Sequence, residues 1–291
     1  MKRLLITGGS GYLGARLTAL ADEAGAWEVT PTFLANPIPH PAATRADLRD
    51  REAVAALGCR VRPDVIIHQG VSNRSDEHVA AIVPAARHIM DAAIATGARL
   101  IHVSTDLVFD GEHPPYSEQS PMAPVNPYGA AKANAEGLIA GGMPEALIVR
   151  PSLIYGFGPV DKQTAWLLEG IREGKPVRLF TDEIRCPVWV DTLALALLEL
   201  AETALTGMLN IAGPPLNRWD FGMKMLACLG VPPGPTVTRS TIAESGLQRP
   251  ADLTMDASKA RRLLRTPILT VEEAFANVST AAPSPPSAQT T

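Results

Sequence analysis

Two side chains four residues apart, Tyr128 and Lys132, are the pair in this sequence best suited to moving a proton. On a helix that spacing puts both on one face. Pro127 suits the first helical position, and Ala130, Ala131, Ala133 and Ala135 favour continuation. A free phenol ionises at about 10, too high for ready exchange at neutral pH. An ammonium at ~4 Å in an effective dielectric of ~20 favours phenolate by about 4 kcal/mol, or about three pKa units. Such a phenol is a usable acid or base near neutrality, and its ionisation is expected well below ~10. The plain alternative is a chance pair on an amphipathic helix. A third group, Thr105, closes the apolar run Arg99–Ser104, which reads as a strand. A hydroxyl that bonds a carbonyl oxygen, a phenol that protonates it and a lysine that tunes the phenol make a carbonyl-reducing site.

The elements that must hold these groups begin at residue 4. Leu4-Leu5-Ile6 reads as a buried strand, Thr7–Gly14 as a glycine loop, and Leu13, Leu17, Leu20 and Ala21 as a helix face. Strand, loop and helix in that order fit a dinucleotide-binding fingerprint in its G-x-x-G-x-x-G spacing. Gly8 allows the turn, Gly11 lets backbone N–H groups reach a pyrophosphate, and Gly14 lets the helix pack on the strand. Ser10, Tyr12 and Leu13 complete the cofactor-binding stretch at the helix start. The second strand, Glu28–Phe33, carries no acid at Thr32, Phe33 or Leu34 for an adenosine ribose, and no arginine follows directly. The expected cofactor is therefore NADP, with NAD possible. Asp47, with Leu48 beside it, ends a short strand where adenine would lie, and Asp50 can cap the next helix.

A third strand, Pro63–His68, delivers Gln69, Gly70 and Val71 to the ligand side of the sheet. Helical periodicity runs from Val79 to Ala93, then come the strand ending at Thr105, the Tyr128–Leu138 helix and a strand at Ala146–Arg150. Strands alternating with helices predict a doubly wound α/β parallel sheet. After Pro151 two helices (160–173 and 192–202) and strands at 177–180 and 208–212 are expected. The division is a dinucleotide-binding domain at 1–155, a smaller, partly interleaved C-terminal substrate domain at 156–281, and a disordered Pro/Ser-rich tail at 282–291.

The 291 residues are 46 % hydrophobic and 19 % charged, with a net charge of −4 that gives no case for nucleic acid. Cys59, Cys186 and Cys228 are too dispersed for a metal or disulfide framework. No run approaches the ~18 apolar residues of a membrane span. The expectation is a cytoplasmic protein without membrane or metal.

The stretches Gly8–Gly14, Ser104-Thr105-Asp106-Leu107-Val108-Phe109-Asp110-Gly111, Tyr128-Gly129-Ala130-Ala131-Lys132 and Arg150–Gly156 resemble the extended short-chain dehydrogenase/reductase superfamily. The resemblance is strongest to the dTDP-4-dehydrorhamnose reductase family, with a weaker match at Arg185–Asp191. It covers nearly all of residues 1–278. It implies a Rossmann sheet, hydride from a nicotinamide, a nucleotide-sugar substrate, and catalytic roles for Thr105, Tyr128 and Lys132. Lys132 would also hold the nicotinamide ribose. Substrate contacts are expected from Thr105, from Asp106 (or Asp106 orients its loop) and from Leu153, where the family usually has tryptophan. Arg249 would reach a phosphate or form a surface salt bridge. Sugar-nucleotide 4,6-dehydratases carry Asp-Glu after this threonine; Asp106-Leu107 argues against that reaction. Relatives often pair the helices near 75–96 and 128–141 into a homodimer. Two alternatives stay open: a sugar-nucleotide epimerase, and a non-catalytic NADP-binding regulatory subunit like the beta subunit of methionine adenosyltransferase.

Overall fold

In the computed structural model, which describes residues 1–69 and 75–281, seven parallel strands run in the order β11-β6-β5-β4-β1-β2-β3. Gly70, Val71 and the tail 282–291 lie outside the described residues. The first half comprises β1 (Lys2–Thr7), α1 (Tyr12–Ala24), β2 (Trp27–Phe33), β3 (Thr44–Arg45), α2 (Arg51–Val61), β4 (Val65–His68), α3 (Asp76–Ala80), α4 (Ile82–Thr96), β5 (Arg99–Val103), α5 (Pro127–Gly142) and β6 (Leu147–Pro151). The second comprises β7 (Ile154–Tyr155), α6 (Lys162–Glu173), β8 (Val177–Phe180), β9 (Ile184–Arg185), β10 (Val188–Trp189), α7 (Val190–Ala201), β11 (Gly207–Ile211), β12 (Leu216–Asn217), α8 (Arg218–Cys228), β13 (Val237–Ser240), α9 (Ile242–Ser245), α10 (Ser258–Leu263) and α11 (Val271–Ala281).

The central strands are apolar at nearly every position because both faces are covered. Leu4, Ile6, Val65, Ile67, Ile101 and Val103 pack under α1 and α7, with Leu17, Leu193 and Leu197. Leu5, Ile66, Leu100 and Ile148 face α2, α4 and α5 through Leu57, Ile82, Ile89, Ala135 and Ile139. The chain runs from β1 out to β3, then returns to place β4 on the other side of β1. The crevice at that reversal, beyond the C-terminal strand ends, is where such sheets bind ligands.

The second half is woven into the first: β11 pairs with β6, from Gly207↔Leu147 to Ile211↔Pro151, and α7 covers the sheet. It also contains α8 and α11, which the sequence reading omitted. The buried stripe of α8, Phe221, Met225 and Leu226, is short and split by a glycine that packs on Leu179. By length and composition alone, Asp76–Thr96 could cross a membrane, with a mean hydropathy of 1.3. In this fold its Ile82, Ala86, Ile89 and Ala93 are buried against the sheet.

Candidate active site

Tyr128 and Lys132 lie in the first turns of α5, and two local features fix that helix start. The Asn126 side chain caps it by accepting the Gly129 N–H at 2.8 Å. Gly129 has no side chain to spare: a Cβ there would stand 2.1 Å from the Leu107 carbonyl oxygen. The helix can therefore press against the turn after Thr105, which brings Tyr128 beside Asp106.

Lys132 is fully buried and donates to the Val103 carbonyl at 2.7 Å. Burial lowers its pKa to about 8, against the opposing pull of Glu136 one turn on. Its charge also weighs on His68 and His102, buried at the ends of β4 and β5 with rings 5.1 Å apart. Burial, then Lys132, holds both imidazoles neutral. His68 Nδ1 meets the Thr7 hydroxyl at 2.7 Å. His68 Nε2, both His102 nitrogens, Ser104 Oγ and Gln69 Nε2 are buried without a partner among the described residues.

The phenol differs from the sequence expectation. Tyr128 is pushed up to about 12, by burial first and then by the Asp106 carboxylate; the cation that opposes them is Arg185. Lys132, held by the Val103 carbonyl, is not among the groups that shift the phenol. Helical spacing predicts a lowered phenol pKa, whereas burial and Asp106 raise it. A raised pKa keeps Tyr128 protonated at neutral pH, which is the form a proton donor needs.

Asp106 is fully buried and saturated. It accepts from Arg185 Nε at 2.8 Å and Nη2 at 2.6 Å, from Ser152 Oγ at 2.5 Å and from Thr105 Oγ1 at 3.2 Å. These bonds tie Asp106 to the turn after β5 and to β9. Burial opposes the charge on Arg185, but Asp106 and then Glu183 outweigh it and hold the guanidinium above its ordinary range. The Thr105 hydroxyl also caps the turn Asp106–Val108 by accepting the Leu107 N–H at 3.2 Å.

On the cofactor side, Gly8 has φ +71°, and a Cβ on Gly14 would meet the Gly8 carbonyl oxygen at 2.1 Å. Gly14 thus closes against the loop itself rather than against the strand. The Gly9 N–H donates to the Thr32 carbonyl at 2.7 Å and ties the loop to the end of β2. Ser10 is exposed and Leu13 is in the core, so Leu13 can offer a ligand only backbone. The Tyr12 hydroxyl reaches across to the Pro159 carbonyl at 2.9 Å. Asp47 is ion-paired with Arg49 at 2.7 Å, Asp50 caps α2, and the Leu48 carbonyl meets His88 Nδ1 at 3.0 Å. These residues form a glycine cradle plus unpartnered polar atoms around a buried ammonium, which suits a phosphate-bearing dinucleotide.

The second half contributes an arginine cluster that sequence reasoning found only in Arg249. Arg249 pairs with buried Glu183 at 3.0 Å and lies 5.5 Å from the Phe180 ring centre. Arg218, at the start of α8, has a buried Nη1 without a partner among the described residues. It lines a small pocket with Gln163, Trp166 and Phe221. Burial lowers it to about 10, Glu183 acts against this, and Arg185 and Arg249 add to it. Leu153 is buried against Phe221 and Met225. The ligand atoms of Asp110, Glu112 and His113 lie within 4.8 Å of one another. Glu112 and His113 are exposed, and half-buried Asp110 is occupied by Tyr116 and the Glu112 N–H.

Residues 1–282 match the family model described as RmlD substrate binding domain. A dTDP-4-dehydrorhamnose reductase of Mycobacterium tuberculosis (strain ATCC 25618 / H37Rv) is 35 % identical over 214 residues, 71 % of this chain and 68 % of that protein. Methionine adenosyltransferase 2 subunit beta of Danio rerio is 27 % identical over 286 residues, 90 % of this chain and 85 % of that protein. In three dimensions the chain is similar to a dTDP-4-dehydrorhamnose reductase of Bacillus anthracis str. Ames solved in complex with NADP. The TM-score is 0.82 at 23 % identity, covering 97 % of this chain and 99 % of that one.

Proposed function

The chain belongs to the RmlD substrate-binding-domain family, and from that premise we propose that it catalyses NAD(P)H-dependent reduction of a keto group on a nucleotide-activated sugar, in the manner of a dTDP-4-dehydrorhamnose reductase. The observation that carries the proposal is the group of buried polar atoms after β4 and β5, near Lys132 and without partners among the described residues, beside the protonated phenol of Tyr128. A fold does not leave such atoms unsatisfied without a ligand or water to meet them.

The nicotinamide cofactor, when bound, supplies hydride to the carbonyl carbon. Gly8, Ser10, Gly11, Tyr12, Leu13 and Gly14 would hold its pyrophosphate through backbone N–H groups. Asp47 and Leu48 would lie by its adenine. Gln69, Gly70, Val71 and Lys132 would meet its nicotinamide half. Tyr128 donates its proton to the carbonyl oxygen, and Thr105 turns its hydroxyl from Asp106 toward the same atom. Asp106, held by Arg185, positions the turn that carries Thr105. On the substrate, the Arg218 nitrogen that has no partner among the described residues and nearby Arg249 would supply charge for the diphosphate. Leu153 borders the sugar with less area than an aromatic ring.

We keep the division at 155/156, with the later segment carrying the substrate, as part of this reading. The protein would work in the cytoplasm, away from membrane and nucleic acid, as a homodimer joined through α4 and α5. Native mass spectrometry of ligands that co-purify with the protein tests the reading. A nicotinamide dinucleotide is expected; a large partner protein carried along instead would favour the regulatory-subunit reading.

A further inference from the structure

The second strand of this sheet ends without an acid, and the sequence places no arginine immediately after it. The fold supplies one from elsewhere. β3 pairs in parallel with β2, with Thr32↔Thr44 and Phe33↔Arg45 in register. The Ala46 N–H donates to the Phe33 carbonyl at 2.9 Å and locks that register. Arg45 Nε donates to the Leu34 carbonyl at 3.1 Å. The guanidinium is thus tied to the residue that follows β2, the position from which a ribose-binding acid would otherwise project.

The corner is also the cofactor corner. The Gly9 N–H is bonded to the Thr32 carbonyl, one strand residue from the Arg45 pairing position. The charges around it are accounted for. Arg49 is held by Asp47 and Glu77, and Asp22 meets His40 at 3.2 Å. Arg45 is exposed, forms no salt bridge among the described residues, and its one hydrogen bond goes to a neutral carbonyl. It acts on Asp47 only through space. Its two terminal nitrogens have no protein partner among the described residues, so a planar cationic fork stands beside the expected adenosine ribose.

We propose that Arg45 is the 2′-phosphate subsite of this protein, and that it sets a preference for NADP(H) over NAD(H). The proposal rests on the dinucleotide-binding reading of the glycine loop. A 2′-phosphate is a doubly charged acceptor suited to a guanidinium fork, while a 2′-hydroxyl gains nothing from the charge. The Nε bond to Leu34 holds the fork in place before the ligand arrives, which lowers the ordering cost of binding.

The test is equilibrium binding of NADPH and NADH, followed by nucleotide fluorescence, to wild type, Arg45→Ala, Arg45→Lys and Arg45→Glu. Wild type should bind NADPH more tightly, and more so at low salt. Arg45→Ala should weaken NADPH by roughly 10- to 100-fold, as for loss of a charge-assisted hydrogen bond, and NADH by less than about 3-fold. Arg45→Lys should restore part of the gap, and Arg45→Glu should reverse the preference. Circular dichroism should show all four folded, since Arg45 is exposed. Equal affinities in wild type, or a gap that survives Arg45→Ala, overturns the proposal and leaves the reductase reading intact. A folded wild type that binds neither nucleotide overturns both.

Discussion

Two buried polar clusters flank Tyr128, and they are built on opposite terms. On one side, Asp106 receives Arg185, Ser152 and Thr105 and has no capacity left. On the other, Lys132 donates to one carbonyl, and nearby His68 Nε2, both His102 nitrogens, Ser104 Oγ and Gln69 Nε2 have no partner among the described residues. A buried donor or acceptor left unpaired costs ~1–3 kcal/mol. In the reading proposed above, the first cluster is scaffold and the second is the side on which the cofactor enters. Experiments that separate the two clusters should therefore give different signatures, in catalysis on the open side and in stability on the saturated side.

The largest effect is expected at the phenol between them. Tyr128→Phe keeps the ring and deletes the acid, so turnover should fall by ~10²–10⁴ while NADPH affinity holds. Full activity in this variant would remove Tyr128 from the mechanism. The next effect lies on the saturated side. Arg185→Met leaves Asp106 buried without its cation and should cost about 3–5 kcal/mol in urea unfolding. Adding Asp106→Asn should recover part of that loss, and an additive double variant would show the pair to be uncoupled.

A smaller effect separates the clusters by pH. Lys132 has a folded pKa of about 8, below the ~10.4 of an unfolded lysine. The unfolded chain binds more protons across that window, so stability should rise with pH between about 8 and 10.4. The handicap is complete below pH 8 and gone above pH 10.4. Relative to Lys132→Met, the wild type should gain about 3 kcal/mol over this range. A flat difference would mean that the ammonium is solvated in the native state. The smallest effect is local: Asp50→Ala removes the α2 cap, which accepts two backbone N–H groups, and should cost about 1 kcal/mol without touching turnover.

Lys132 and Gln69 of the open cluster and Thr105 and Asp106 of the saturated one were legible in the sequence, whereas His68, His102, Ser152 and Arg185 did not stand out as site residues. β1, β4, β5 and β6 are covered on both faces, so their apolar runs and the ligand-side residues after them stand out in one dimension. The i, i+4 pair Tyr128–Lys132 and the glycine loop are local patterns. Asp106 and Arg185 lie 79 positions apart and meet through β9, a two-residue strand with no periodicity to read. Arg45 was passed over for the same reason, because its place beside Leu34 depends on register between strands. Spacing also misled once. It put Lys132 over the phenol, whereas the ammonium turns to the Val103 carbonyl and Arg185 is the cation that acts on Tyr128.

The central claim is that the open cluster receives a nicotinamide cofactor and, beside it, a keto sugar nucleotide. Its most direct test mixes the purified chain with NADPH and dTDP-4-dehydrorhamnose, follows nicotinamide absorbance, and identifies the product by mass spectrometry. Our account predicts NADPH oxidation matched by a sugar nucleotide two hydrogens heavier than the keto substrate. Tight NADPH binding with no oxidation, across a panel of keto sugar nucleotides, would contradict it and leave the protein a cofactor-binding subunit of something else.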